Sequence, residues 1–223
     1  MNHKPYGLYE LFFKRFFDFV LSLLALIVLS PILIVLIILG AIVMKGNPFF
    51  TQERPGKNEK IFKLIKFRTM TNEKDKNGKL LPDAERSTKY GAFLRNTSVD
   101  ELPELINILK GDMSIIGPRP LMVRYLPYYT EEERLRHAVR PGLTGYAQVH
   151  GRNSVTWDER FKLDVTYVNK ITLVGDIKVL FDTVITVLKR EGIDLEDLGN
   201  LDDYRTLPVD KESVEVSKWF ITS

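Results

Sequence analysis

The chain has 223 residues, with 32 Lys and Arg against 29 Asp and Glu, 44% hydrophobic residues, 14 Gly, 11 Pro and no Cys. The apolar content excludes a disordered polar tail, the glycine count excludes a collagen-like repeat, and the lack of thiols excludes a disulfide scaffold or a cysteine metal site. A net charge of +3 is too small to mark a nucleic-acid binder, but it is unevenly spread: ten cations against four anions through Met70, three against nine from Glu191 onward. A basic front beside a long apolar run favours anionic lipid headgroups over nucleic acid, since such segments gain about 1 kcal/mol per charge at a membrane.

The apolar run is the first predicted element. Phe16 to Met44 spans 29 residues with Asp18 as its one charge, too long for an ordinary soluble helix or for the apolar part of a signal peptide. A straight helix over it would reach roughly 44 Å, against a hydrocarbon core of about 30 Å. Ser30-Pro31 stands at its centre, where proline removes a donor and clashes with the preceding turn, so a break or kink is expected there. Lys4, Lys14 and Arg15 on one flank and Lys45, Arg54 and Lys57 on the other put both flanks in the cytoplasm under the positive-inside bias. A re-entrant helix that bends at Ser30-Pro31 and returns satisfies both, with Ser22 or Ser30 bonding the freed carbonyls. A single kinked and tilted spanning helix is the alternative.

Phe49 to Gln52 and Ile61 to Met70 then read as strands around the turn signal Pro55-Gly56-Lys57-Asn58. Alternation puts Lys66 and Arg68 on one face of the second strand and Ile65 and Phe67 on the other, a pattern that a solvated edge strand also explains. Asn72 to Asp83 is a polar loop. Leu102, Leu105, Ile106 and Leu109 mark an amphipathic helix that must start near Asp100, because Pro103 is tolerated only in its first turn. There, free amides and the macrodipole favour ionised Asp100 and Glu101 and can donate to a phosphate. Asp is also an ordinary N-cap, so these residues can equally be no more than a helix start.

Capping boxes at Thr130-x-x-Glu133 and Thr156-x-x-Glu159 open two further helices, the first closed by His137 as a C-terminal cation rather than a base. Gly175 to Arg190 is a third, with Ile177, Leu180, Phe181, Val184 and Leu188 on a stripe read as core packing, lipid contact being the alternative. Arg140-Pro-Gly-Leu-Thr-Gly145 and Gly151-Arg152-Asn153 are loop-like, either wrapping phosphate or sugar or merely turning. From Glu191 the chain reads as a tail with little periodicity, in which Val214, Val216 and Trp219-Phe220 are candidates to dock. The elements predict a mainly helical α+β fold: an arm and re-entrant membrane helix over 1–47, a cytoplasm-facing catalytic domain with a small β-hairpin over 48–192, and an acidic tail over 193–223.

A carboxylate attacks phosphorus when cations or a metal neutralise the approaching charge, and the resulting acyl phosphate keeps the energy of the bond it replaced. Asp100 is the candidate nucleophile and Glu101 the candidate ligand for Mg2+, which prefers carboxylate and phosphate oxygens. Arg95, Arg119, Lys66 and Arg68 are the candidate cations of a membrane-proximal cleft, and Arg140 belongs to the loop that would wrap phosphate or sugar. P-loop, dinucleotide-fingerprint and H-E-x-x-H motifs are absent from the sequence. Two rival readings fit fewer of these features: metal-dependent hydrolysis of a lipid or nucleotide diphosphate, and a non-enzymatic membrane-anchored adaptor.

Six segments in order carry a resemblance: the apolar run with Ser30-Pro31, Gln52-Glu-Arg-Pro-Gly56, Lys66-Phe-Arg-Thr-Met70, Ser98-Val-Asp-Glu-Leu-Pro103, Gly117-Pro-Arg-Pro-Leu121 and Arg140-Pro-Gly-Leu-Thr-Gly145. Together, over about Lys14 to Ile193, they resemble the bacterial sugar transferase family, the monotopic phosphoglycosyl transferases. The resemblance implies a catalytic domain on the cytoplasmic face of the bacterial inner membrane. There it would move a sugar 1-phosphate from a UDP-sugar to undecaprenyl phosphate and release UMP, beginning a surface polysaccharide or glycoprotein glycan. It implies Asp100 as nucleophile of a covalent aspartyl-phosphosugar, Glu101 linked to Mg2+, Arg95 at the lipid phosphate or phosphosugar, and Pro118, Arg119 and Pro120 at the nucleotide. The chain is similar to the minimal form of the family, which includes the bacillosamine-phosphate transferases. That likeness points to an N-acetylated hexose, with a homodimer or downstream glycosyltransferases as candidate partners.

Overall fold

The computed structural model describes residues 3–150, 156–189 and 199–206. After a π-helical turn, Tyr9–Phe13, the apolar run forms one helix, α1 (Lys14–Val43). The break expected at Ser30-Pro31 does not occur, and the backbone stays helical through it. Pro31 lacks the N–H that would bond Ile27 O; Ser30 Oγ donates to that carbonyl at 2.7 Å, so the freed acceptor is satisfied inside the helix.

β1 (Phe49–Pro55) and β2 (Ile61–Phe67) pair antiparallel, from Phe49 opposite Phe67 to Pro55 opposite Ile61. β2 stops short of Met70 and, although an edge strand of a two-stranded sheet, has both of its faces packed. Leu64 is buried with Leu105 and Ile108, and Phe67 with Leu36 and Leu94. Two short helices not anticipated from sequence follow, α2 (Asp83–Arg86) and α3 (Lys89–Asn96). A 3-10 turn, Val99–Glu101, then leads into α4 (Glu104–Lys110).

β3 (Ser114–Ile116) and β4 (Gly142–Thr144) form a two-stranded parallel ladder, Ser114 opposite Gly142 and Ile116 opposite Thr144. Gly142–Thr144, within the Arg140 to Gly145 segment expected to be loop-like, is therefore a strand. A Cβ on Gly142 would lie 2.1 Å from Gly117 N, so the glycine serves direct backbone contact. The Thr130–Glu133 box forms, but a 3-10 segment, Glu133–Ala138, follows it. His137 is buried there, and burial lowers its pKa, so it is not the helix-end cation expected from sequence.

The C-terminal helices are α5 (Tyr146–His150), α6 (Trp157–Asn169) with the Thr156–Glu159 capping box, α7 (Leu173–Lys189) and α8 (Leu201–Tyr204). The stripe of α7 expected in the core is instead open: Ile177, Leu180, Phe181 and Val184 are exposed, while Val179 is the residue that packs inward. The segment 199–206 is docked rather than featureless, with Leu201 fully buried. Residues 151–153, the Leu188 side chain, Val214, Val216, Trp219 and Phe220 lie outside the described residues and side chains.

α1 lies against the rest of the chain along its length. Asp18, the one charge of the run, accepts from Ser114 Oγ at 2.7 Å and from the Ile115 N–H at 2.9 Å. Leu26 and Leu29 pack on the Leu105 cluster, Leu36 on Phe67, and Gly40 on Pro48 and Tyr90. The opposite stripe, with Leu24, Ile27, Val28, Val35 and Ile38, is exposed. The fold is thus mainly helical with two small sheets, and the β2–α4 contact at its centre positions the site.

Candidate active site

Asn107 of α4 grips β2: its Nδ2 donates to Lys63 O at 2.8 Å and its Oδ1 accepts the Ile65 N–H at 3.1 Å. With Leu64 packed on Leu105 and Ile108, these bonds set Lys66 beside the start of α4. Lys66 Nζ donates to Glu101 Oε1 at 2.7 Å and lies 3.3 Å from Glu104 Oε1. Arg119 Nη2 donates to the same Glu101 oxygen at 2.7 Å. The Arg119 carbonyl in turn accepts from Arg136 Nη2 at 2.7 Å, and the buried Arg136 is paired with Asp164 at 2.8 Å. A rigid relay therefore runs from α6 through Arg119 to Glu101.

The turn carrying the two acids is tighter than the α-helical start expected near Asp100. Ser98 takes a left-handed φ of 55°, and the Glu101 and Leu102 amides donate to Ser98 O and Val99 O at 3.3 and 3.2 Å. Pro103 has no N–H with which to extend the ladder, and the α-helix begins only at Glu104. Asp100 is not the N-cap: Ser98 holds that position for the 3-10 turn and Pro103 for α4. Among the described residues Asp100 enters no ion pair, while its neighbour Glu101 holds two cations.

Environment separates the three carboxyls. Burial, and next the charge of Glu101, raise Asp100 above the usual carboxylate range, against the pull of Lys66 and Arg119. Burial would raise Glu101 too, but Arg119 and Lys66 outweigh it and hold that carboxylate well below its ordinary value. Burial and the Glu101 charge push Glu104 upward. Glu101 is thus the clamped anion, while Asp100 and Glu104, the first residue of α4, are both shifted toward the protonated form.

A cleft of about 360 Å³ adjoins this turn. One group of lining residues is charged, Arg54, Lys66, Glu104 and Arg119; another is apolar or aromatic, including Leu121, Met122, Tyr125 and Trp157. Arg54, Leu64 and Lys66 reach it together because alternate residues of the hairpin share a face. Burial, and then Arg119, push Arg54 down to about 10, and among the described residues no carboxylate pairs with it. Crowded cations of this kind suit a phosphate or diphosphate.

Among the described residues no cluster of three or more His, Asp or Glu could hold a metal alone. The residues present do fit Mg2+ in its substrate-assisted mode, in which one or two carboxylates share the ion with phosphates and waters. Asp100 and the Glu101 oxygen left free by Lys66 and Arg119 are the available donors.

Of the residues singled out from sequence, Lys66, Glu101 and Arg119 meet directly, Asp100 is beside them, and Pro120 lines the cleft. Pro118 contributes its carbonyl to the Gly142 N–H at 3.0 Å. Arg95 stands exposed in the last turn of α3, with Nη2 3.4 Å from Ser87 Oγ. Arg68 Nη2 donates to Phe49 O at 3.2 Å. Arg140 is at the far end of α4, its Nε on Gly111 O at 2.8 Å. Sequence reasoning missed Arg54, Glu104, Tyr125 and Trp157. The i,i+3 spacing of Glu101 and Glu104 and the strand alternation at Arg54 were usable signals. Nothing local marks the two aromatics, which α6 and the segment after Met122 bring in from afar.

A model of the bacterial sugar transferase family matches residues 9–190. The chain is 48% identical over 180 residues to the sugar transferase EpsL of Bacillus subtilis, covering 81% of this chain and 89% of that protein. It is 40% identical over 200 residues to the undecaprenyl-phosphate galactose phosphotransferase of Salmonella typhimurium, covering 81% of this chain but 41% of that relative. It is also 40% identical over 182 residues to the UDP-glucose:undecaprenyl-phosphate glucose-1-phosphate transferase of Klebsiella pneumoniae, covering 77% of this chain and 39% of that relative.

Proposed function

The chain belongs to the bacterial sugar transferase family, and from that premise we propose that it transfers a sugar 1-phosphate from a UDP-sugar to undecaprenyl phosphate, releasing UMP. The observation that carries this reading is Asp100, a half-buried carboxylate outside any ion pair among the described residues, beside cations already held in place by Glu101. In the first half-reaction an Asp100 carboxylate oxygen attacks the phosphorus that bears the sugar. The new O–P bond forms as the bond to the bridging oxygen breaks, and UMP leaves with that electron pair. An oxygen of undecaprenyl phosphate then attacks the same phosphorus, breaks the acyl phosphate bond and returns Asp100 as a carboxylate. Neither step needs a proton from the protein.

Lys66 and Arg119 would hold the phosphate oxygens near Asp100, and Glu101 keeps those two cations oriented. Mg2+, held by Glu101 together with donor phosphates, would neutralise phosphate charge as Asp100 approaches. The donor sugar is proposed to be a hexose. An N-acetylated hexose follows from the resemblance to the minimal form; glucose and galactose follow from the names of the relatives.

The packing of α1 supports a monotopic placement, and the positive-inside bias of its flanks the cytoplasmic face of the bacterial inner membrane. Its beginning is tied down by Arg15 and Asp18, and its end by Gly40 and by Tyr90, whose hydroxyl donates to Leu36 O at 2.8 Å. With both ends on one domain, the exposed stripe is best used from one side, in one leaflet. α7 is joined to the start of α1, where Lys14 Nζ donates to the buried Asp176 at 2.6 Å. Undecaprenyl phosphate would then present its headgroup at the height of the cleft.

The test uses a UDP-sugar radiolabelled in the sugar. Without lipid, label is expected on the peptide containing Asp100 after denaturation and digestion; added undecaprenyl phosphate should then move it to the lipid fraction. Label found only as free sugar phosphate makes the protein a hydrolase, and label in neither fraction overturns the enzymatic reading.

A further inference from the structure

Residues 199–206 lie after the region matched by the family model and still build part of the cleft, which Gly199 and Asn200 line. Their docking is specific. Leu201 is fully buried in the cluster that contains Trp157 and Phe161. Arg205 donates to both carboxylate oxygens of Glu133, at 2.7 and 2.8 Å, and pairs with Asp158. Asn200 Oδ1 accepts from Arg124 Nη2 at 2.8 Å and from the Tyr125 hydroxyl at 3.3 Å, so it sets where that hydroxyl points.

The cleft divides its labour by chemistry. Phosphates are drawn to Lys66, Arg119 and Arg54. Tyr125 and Trp157, edge to face with centroids 5.8 Å apart, suit a ring with an apolar face and polar edges. In a nucleoside diphosphate sugar, both the hexose and the nucleoside have that character. We propose that the strap of residues 199–206 is a specificity element for the donor, walling the part of the cleft that receives its ring, with Asn200 as a positioning residue for Tyr125. This inference deepens the transferase reading and rests on it.

The test compares full-length wild type with Asn200→Ala, which frees Tyr125, and Arg205→Ala, which loosens the strap without touching its buried leucine. Trp157 emission, in a Trp219→Phe background, is titrated with UMP and with UDP-hexoses, and KM is measured separately for donor and lipid phosphate. Affinity for the donor should weaken about tenfold in both variants, roughly the loss of one positioned polar contact. KM for lipid phosphate should stay unchanged in both variants while donor affinity falls, a split that a merely structural strap would not give. Weakened UMP binding assigns the strap to the nucleoside; weakened UDP-hexose binding with UMP unaffected assigns it to the sugar. Unchanged affinity for every donor, with hydrogen exchange showing residues 199–206 released in Arg205→Ala, overturns the inference. A wild type that binds no nucleotide sugar overturns the transferase reading itself, so the two failures are distinct.

Discussion

At the C-terminal end of α4, Arg15 donates to Ile108 O and Leu109 O at 2.6 and 2.9 Å, and Arg140 donates to Gly111 O at 2.8 Å. These bonds end on carbonyls at the helix terminus, where backbone acceptors run short of intrahelical donors, although Ile108 O also accepts the Gly111 N–H at 3.0 Å. At the other end, Lys66 and Arg119 converge on Glu101, while Asp100 stays outside any ion pair among the described residues. The first arrangement is complete without a ligand. The second keeps a carboxylate and two cations in a form that an incoming phosphate completes. Arg140 and Asp100 both stand in short motifs, but their surroundings differ: Arg140 caps a helix end, and Asp100 stays outside any ion pair among the described residues.

The hardest test of that contrast is Asp100→Asn. Turnover should fall by at least about a thousandfold, as when a nucleophile is lost, in the radiolabelled lipid-transfer assay. Melting should not drop, because the substitution removes a half-buried carboxyl whose charged form the site disfavours. Retained turnover would make the two ends of α4 the same kind of feature. Arg119→Ala comes next. It removes one preorganised donor and should slow transfer by about a hundredfold in the same assay. Unlike Asp100→Asn it should also cost stability, since Glu101 loses one of its two cations.

The pH profile sharpens the contrast further. On the proposed mechanism Asp100 must be ionised to attack, and its pKa is raised in the folded protein, so kcat/KM should fall on the acid side at a higher pH than an unperturbed aspartate would give. Lys66 pulls that pKa down. Lys66→Met should therefore move the acid limb to higher pH, read from rate profiles of the two proteins. An acid limb that stays in place would separate Lys66 from the reacting carboxyl.

How much of this was legible beforehand depends on the range of the interaction. Strand alternation exposed Lys66, and the intolerance of proline inside a helix located Asp100 and Glu101 to within one turn. The same proline argument misplaced the helix start, because a 3-10 turn satisfies Pro103 equally well. At Ser30-Pro31 the rule that proline breaks helices met a local remedy, the Ser30 hydroxyl on Ile27 O. The β3–β4 ladder was invisible because each strand has three residues and the partners lie far apart in sequence. Amphipathic periodicity found α7 but not which way it faces, since a stripe against lipid and a stripe against a core have one pattern. Tyr125, Trp157 and the docked strap depend on tertiary packing that no local signal encodes.

Smaller effects test the structural end and then the third carboxyl. Arg140→Ala should leave turnover per folded molecule nearly unchanged. Its melting temperature should fall by about 3–6 °C, from one charge-assisted hydrogen bond of about 1.5 kcal/mol in a chain of this size. Glu104→Gln should act in the opposite sense. The folded pKa of Glu104 is raised by burial and by Glu101, so between the ordinary carboxylate range and that raised value the folded state holds a proton the unfolded chain has released. Stability of the wild type therefore falls as pH rises through this window. Glutamine does not titrate, so the variant should melt about 2–4 °C higher than wild type at pH 8, with the gain shrinking towards pH 4. If the 3.3 Å approach of Glu104 to Lys66 were instead a stabilising ion pair, the order at pH 8 would reverse. Calorimetry at the two pH values decides between a carboxyl kept for its charge and one the site holds in spite of it.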